Sequence, residues 1–426
     1  MKTRPAKHNR RSVFPVLLHA PFIFHLRVSV LVSLLALLAF GSTASAQPVY
    51  VDANSARPTP PYTNWATAAR VIQDAVNAAS PGDEIIVTNG VYQTGTAMAN
   101  GTNRVALANV ELRSVNGPQM TVIDGALSVR GVYVGTNAVL NGFTVRNGRA
   151  WGMYGLTNPP PPRYGGAVLS EPSGIITNCI LTGNSATGLV FTMVDCCPPT
   201  AWDWFHVRMD GGGAFGGRLY NCILSGNSGG YGGGAYRATL YHCVVTGNDG
   251  DGGVDESTLY NCIVRFNRGG DWRGSTFSFS CTTPLPGGLG NIEADPLFVN
   301  AAAGDYRLRP DSPCIDAGTN LTGLITTDLD GLPRPLDGNG DGIAQFDMGA
   351  YEYNPYHFEP TLHFDASGFA FTVVGEPGKS VRVEHSRDLV QWELVATLVL
   401  PATGQRLIDP PATSELSRFY RAVSVP

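Results

Sequence analysis

One short phrase keeps returning in the middle of the chain: TNCILTGN from Thr177, YNCILSGN from Tyr220, YHCVVTGN from Tyr241 and YNCIVRFN from Tyr260. Its cysteines, Cys179, Cys222, Cys243 and Cys262, stand 43, 21 and 19 residues apart, and Cys281 follows after 19 more. An asparagine sits five places after each of the first four, at Asn184, Asn227, Asn248 and Asn267. Upstream, NGFTVRN from Asn141 fits the frame with Gly142 at the cysteine place and Asn147 at the asparagine place. Glycine clusters recur as well: GGGAF from Gly211, GGGAY from Gly232 and GGV from Gly252.

A period near 20 residues, built of short β-branched runs between Gly and Asn turns, has few physical solutions. Leucine-rich repeats share the length, but their L-x-x-L-x-L pattern is missing. One coil of a parallel β-helix needs about this many residues, and equivalent positions then stack about 4.8 Å apart. Inward asparagines can pass hydrogen bonds along such a stack, and a buried cysteine packs there as a small hydrophobe. The chain is therefore expected to be all-β, a right-handed parallel β-helix. Asn147, Asn184, Asn227, Asn248, Asn267 and Cys179, Cys222, Cys243, Cys262 are its expected ladders.

The two ends follow other rules. Residues 1–46 combine six basic residues, an apolar run from Val28 to Phe40 and a small-residue tail ending Ala44-Ser45-Ala46. That order predicts a cleaved secretory signal peptide, and the 13-residue run is too short to span a bilayer. Without the leader, 23 of the 29 basic residues face all 34 acidic ones, a net charge of 23 − 34 = −11. This balance argues against nucleic acid and anionic membrane surfaces as partners; the mature chain is expected to be an exported monomer. Val71, Ile72, Ala75, Val76 and Ala79 form one helical stripe stopped at Ser80-Pro81-Gly82. The helix is expected to cover the open end of the stack. After a linker at 354–361, residues 362–426 alternate as strands (Phe369, Phe371, Val373; Val381, Val383) and predict a small β-sandwich.

The helix-stop-strand opening, SVNGPQMTVIDG from Ser114 and the NC…GN coils resemble the pectin-lyase-like superfamily of secreted β-helix proteins. Residues 291–353, with SPCIDAGTN from Ser312, DLDGLPRP from Asp328 and DMGAYEY from Asp347, are similar to the choice-of-anchor Q domain, which closes many exported bacterial proteins. The last module resembles fibronectin type III-like tails. Neither the Asn-Thr-Asp nor the Gly-His-Gly signature of polygalacturonases is present, nor a lyase set of paired acids with an arginine base. What the resemblance implies is thus a β-helix, and a polysaccharide or cell-surface glycan as partner.

Candidate sites lie where the period breaks. The 43-residue gap holds about one coil plus 22 residues, near Leu189–Asp210. It offers Trp202, Trp204 and Phe205 as surfaces for sugars, and Asp203, His206, Arg208 and Asp210 as acid, base or anion-binding groups. A second excursion at 150–164 adds Trp151 and Tyr154 about one coil away, so the two form a common wall or remain plain flaps. DGNGDGIAQFD resembles a calcium loop, with Asp337, Asn339, Asp341 and the Ile343 carbonyl in place. The acid, Asp347, comes one residue early. His242-Cys243 looks like a base beside a nucleophile, but its three relatives keep the cysteine and have asparagine instead of histidine, which makes the pair a coil corner. Cys196, Cys197, Cys281 and Cys314 leave disulfide pairing open. Three functions compete: an exported polysaccharide binder without a catalytic signature, a polysaccharide lyase or glycoside hydrolase sited on 189–210, and a structural surface protein or adhesin.

Overall fold

The computed structural model describes residues 47–426 except 155–163, 194–201, 322, 359–362, 366–367, 376, 388–390, 402–403, 410–417 and 425–426. In the strands at 152–154, 189–193, 202–208, 357–358, 363–365 and 424, only the backbone path is described. The leader expected at 1–46 and Cys196-Cys197 lie outside the described residues.

Among the described residues, three parallel sheets wind around one core. Sheet A holds nine strands, from Val49–Val51 to Thr276–Ser278, and sheets B and C hold eight each. A single turn runs Thr239–Tyr241 in sheet A, Val244–Thr246 in B and Val254–Asp255 in C, then returns to A at Thr258–Tyr260. Successive turns pair in register, Leu219 with Leu240 and Leu240 with Leu259. The chain is a parallel β-helix. Leu112, Leu140, Ile176, Leu219, Leu240 and Leu259 point inward and are fully buried. Each such side chain contributes roughly 1.5–3 kcal/mol. The helix Ile72–Ala78 lays Ile72 and Ala75 on the first turn, closing the end of the stack.

The corner from A to B is one left-handed residue per turn: Asn178, Asn221, His242 and Asn261, with φ between 49° and 52°. Asn and His are among the side chains that tolerate this region. The cysteine after each corner is fully buried, and its thiol donates to the carbonyl two residues back, at 3.1 Å for Cys179 and 3.3 Å for Cys243. At the far end of sheet B runs the asparagine ladder. Asn184 Nδ2 donates to Asn227 Oδ1 at 2.9 Å, Asn227 to Asn248 at 3.0 Å, Asn248 to Asn267 at 2.9 Å, and Asn267 to Asp271 at 3.1 Å.

Two positions differ from the repeat as the sequence presents it. Asn147 is not in the ladder. Thr144 pairs with Ile180, so Gly148 takes the ladder place and its N–H donates to Asn184 Oδ1 at 2.7 Å. Asn147 takes the left-handed place that Gly183 holds one turn later, and bonds Asp124. Gly and Asn have exchanged places here, and either suits a positive φ, so a one-residue slip leaves no trace in the pattern. Similarly, Cys281 does not continue the cysteine series. Thr258 pairs with Thr276, a turn of 18 residues, not 19, so Ser280 fills the interior place and accepts from Cys262 N–H at 3.0 Å. Cys281 pairs with Ile263 and faces outward.

Residues 291–353 cover the outer face of sheet B. Leu308, Cys314, Met348, Ala350 and Tyr351 pack on Ile223, Val244, Ile263 and Cys281. This cover is why strands such as Val244–Thr246 are apolar on both faces. The chain ends in a small antiparallel module of a four-stranded and a three-stranded sheet, packed around Tyr356, Phe371, Val373, Val381 and Val383. Asn354 Nδ2 donates to the Ala422 carbonyl at 2.5 Å, tying the module to the chain that enters it.

Candidate functional site

The long gap in the repeat becomes a β-ribbon. Strand Ser185–Met193 turns back as Trp202–Arg208, antiparallel, with Leu189 opposite His206, Thr192 opposite Asp203 and Met193 opposite Trp202. Strand Arg149–Tyr154 joins as a third, parallel member, with Trp151 opposite Thr187 and Tyr154 opposite Val190. The two excursions therefore form one sheet. It leaves the β-helix at the corner from B to C, where Ser185 bridges Ser228. Trp151 is exposed. Register places Phe205 opposite Val190 and Trp204 opposite Phe191, in the same ribbon as Asp203, His206 and Arg208.

The ribbon returns through Met209 to Asp210 at the edge of sheet C, whose outer face carries the strongest cluster of sugar-compatible groups. Register runs Tyr133, Leu169, Phe215, Tyr236, Asp255, Arg273 up that face. Tyr164, at the end of the first excursion, stacks on Phe215 at 4.5 Å and 20°. Tyr236 follows at 5.5 Å from Phe215, with Tyr231 at 6.3 Å from Tyr236. The guanidinium of Arg237 lies 4.9 Å over the Tyr236 ring, and that of Arg273 lies 4.9 Å over Tyr231, cation–π geometry. Beside this row opens a groove of about 560 Å³ lined by Tyr164, Glu171, Phe215, Arg218 and Arg237 among others. Glu171 accepts from Tyr133 Oη at 2.7 Å, and Glu256 holds Arg237 at 2.6 Å. The glycine clusters make the corner leading here. A Cβ on Gly213 would stand 2.4 Å from the Gly234 carbonyl, so no larger residue fits between turns.

Two acids in this cluster depart from ordinary behaviour. Burial pushes Asp255 up, against the pull of Arg273. Burial likewise pushes Asp210 up, and the carboxylates of Asp255 and Glu256 add to it. The Asp210 carboxyl accepts a long hydrogen bond, 3.4 Å, from Tyr231 N–H. Of the groups foreseen in the sequence, the structure brings Asp210 into this cluster. Phe215, Tyr231 and Tyr236 went unnoticed there. The signal was present in the GGGAF and GGGAY clusters, whose aromatic residue recurs one turn apart.

The acidic loop is a set of turns. Asp337 accepts from Gly340 and Gly342 N–H at 2.8 and 2.9 Å, and Asn339 and Asp341 close their own turns at 2.9 and 2.8 Å. The Ile343 side chain is exposed. Asp347 is not brought to this loop: it is buried and accepts from Asp316 N–H at 2.7 Å and from Tyr353 N–H. Among the described residues, no three metal-ligating side chains converge.

His242 is more than a corner. Arg334 Nη1 donates to its Nδ1 at 2.6 Å and to Glu352 Oε1 at 2.9 Å, and all three side chains are buried. Because arginine only donates, Nδ1 is the acceptor and Nε2 carries the proton. Asn261 Nδ2, 3.1 Å from Nε2, is oriented by two bonds to Thr319 and meets it as a second donor, a close approach and not a bond. Burial, then the charge of Arg334, push His242 well below the ordinary histidine range. Its folded pKa is depressed, so the unfolded chain binds the extra proton, and stability falls as pH drops below about 6.5. His242→Asn, which installs the residue of the neighbouring corners, is expected to flatten that limb between about pH 6.5 and 5. Urea midpoints measured across this range check it; an unchanged slope contradicts the assignment.

No family model matches the chain, and no curated protein matches it. Among solved structures, a rhamnogalacturonan lyase is similar at 12% identity and a TM-score of 0.33, covering 57% of this chain. The match spans 65% of that enzyme, just under two thirds of its length. No helix among the described residues is long and apolar enough to cross a membrane.

Proposed function

We propose that this chain binds a polysaccharide along the outer face of sheet C, in the groove bordered by Tyr164, Phe215 and Arg237. The observation that carries the reading is the aromatic row, set in register turn by turn beside a groove rimmed with Arg218, Arg237 and Glu171. Apolar ring faces meet the C–H faces of sugars, and the polar rim matches their hydroxyls. The reading includes export by the leader at 1–46 and a place in the medium or at the cell surface. In it, residues 291–353 act as the closing element that their resemblance to choice-of-anchor Q suggests, and the last module acts as a spacer or attachment.

A second reading, hydrolysis or lysis of the bound chain, is favoured by one observation: Asp210 and Asp255 both stand above the ordinary carboxylate range beside the same aromatic row. One experiment separates the two. The protein is incubated with insoluble neutral glycans and polyuronates, and both retention and new reducing or unsaturated ends are measured. Retention without products is expected, weakened about 10- to 30-fold in Phe215→Ala, the loss of an interface aromatic worth about 2 kcal/mol. Products that disappear in Asp255→Asn replace binding by catalysis. Retention unaffected by Phe215→Ala removes the groove from the account.

A further inference from the structure

The 18-residue turn that displaces Cys281 from the interior ladder has a chemical consequence. Cys281 lands on the outer face of sheet B, and Cys314 belongs to the segment that covers this face. Both are fully buried in the same apolar cluster. We propose that Cys281 and Cys314 form a disulfide that staples the covering segment to the β-helix.

The contrast with the other described cysteines supports this. Cys179, Cys222, Cys243 and Cys262 sit in parallel, in-register turns, so their Cα–Cβ bonds run side by side and do not converge, a poor disulfide geometry. Their thiols donate to backbone carbonyls at 3.1–3.3 Å, as does that of Cys281 to Ala294 at 3.3 Å, so it is the layering and not the hydrogen bonding that sets the pair apart. Cys281 and Cys314 approach from two different layers and meet in one buried cluster. The oxidant is an external disulfide such as oxidised glutathione, met as the chain folds and before the covering segment closes, because both sulfurs are buried once it has. The Cys281 thiolate attacks it, forming a mixed disulfide and releasing one small thiolate. Cys314, losing its proton, then displaces the second small thiolate. Two protein thiols are oxidised and one external disulfide is reduced to two thiols.

The test uses the full chain refolded from denaturant in the presence of oxidised glutathione. It is denatured without reductant and alkylated with one reagent, then reduced and alkylated with a second of different mass, and its peptides are mapped. The expected result is the first label on Cys179, Cys222, Cys243 and Cys262 and the second on Cys281 and Cys314, with the two peptides linked before reduction. First label on Cys281 and Cys314, or a link from either to Cys196 or Cys197, overturns the proposal. An independent reading is thermal. The oxidised protein is expected to melt about 5 °C above the reduced one, and Cys314→Ser is expected to melt at the reduced value whatever the oxidant. Equal midpoints for oxidised and reduced wild type count against the staple.

Discussion

Arg334→Met is expected to destabilise the folded chain by about 3–5 kcal/mol, the cost of leaving a buried charge without its partner. Arg334 and Glu352 are both fully buried, 2.9 Å apart. The guanidinium also donates to the Gly349 carbonyl at 2.9 Å and to His242. Glu352 in turn accepts from Leu336 N–H at 2.9 Å and from Asp347 N–H at 3.1 Å. Removing the cation leaves a carboxyl that burial already pushes up, together with an unpaired carbonyl. The double variant Arg334→Met with Glu352→Gln is expected to lose less than the sum of the two single changes, because neither charge is then stranded. Urea unfolding of the three variants checks this. A loss below about 1 kcal/mol for Arg334→Met would show that the pair does not hold the cover on sheet B.

Asn227→Ala is expected to cost about 3–5 kcal/mol, from two or three buried groups left without partners at about 1–3 kcal/mol each. Asn227 Oδ1 receives both the backbone N–H and the side-chain amide of Asn184, at 3.1 and 2.9 Å, while its Nδ2 serves the Leu181 carbonyl at 2.8 Å. Asn227 is fully buried, and alanine leaves a cavity as well. Asn267→Ala is expected to cost less, since Asn267 lies at the partly buried end of the row, where Asp271 terminates it. Equal losses at Asn227 and Asn267 would mean that the ladder does not act as a chain of bonds.

The architecture was legible because a 19- to 21-residue period with stacked Asn and Cys admits one winding. The places where the reading slipped are instructive. Asn147 and Gly148 swapped roles without a visible change, since Gly and Asn both serve a left-handed corner. Cys281 kept the 19-residue spacing while the turn beneath it shortened by one, which moved it to the other face of the strand. His242 was legible as a corner. Its partners Arg334 and Glu352 were not, because they come from a segment about 90 residues away, and contacts between layers carry no periodicity. The site was legible only in outline. The broken period marked the ribbon, whereas the groove beside it is made by regular turns whose outward residues, Phe215 and Tyr236, are ordinary in sequence. A rival face also exists: Tyr220, Tyr241 and Tyr260 stack along sheet A at 4.9 and 5.1 Å. The rings of sheet C stack as well, at 4.5 Å for Tyr164 and Phe215, but they border a groove rimmed with Arg218, Arg237 and Glu171, and for that reason the ligand is placed on sheet C.

Oxidative footprinting of tyrosines, with and without a retained polysaccharide, tests that choice most directly. The expected result is that Tyr164 and Tyr231 become protected while Tyr220, Tyr241 and Tyr260 keep their reactivity; Tyr236, already buried, is unchanged. Protection confined to Tyr220, Tyr241 and Tyr260, or to neither set, would contradict it.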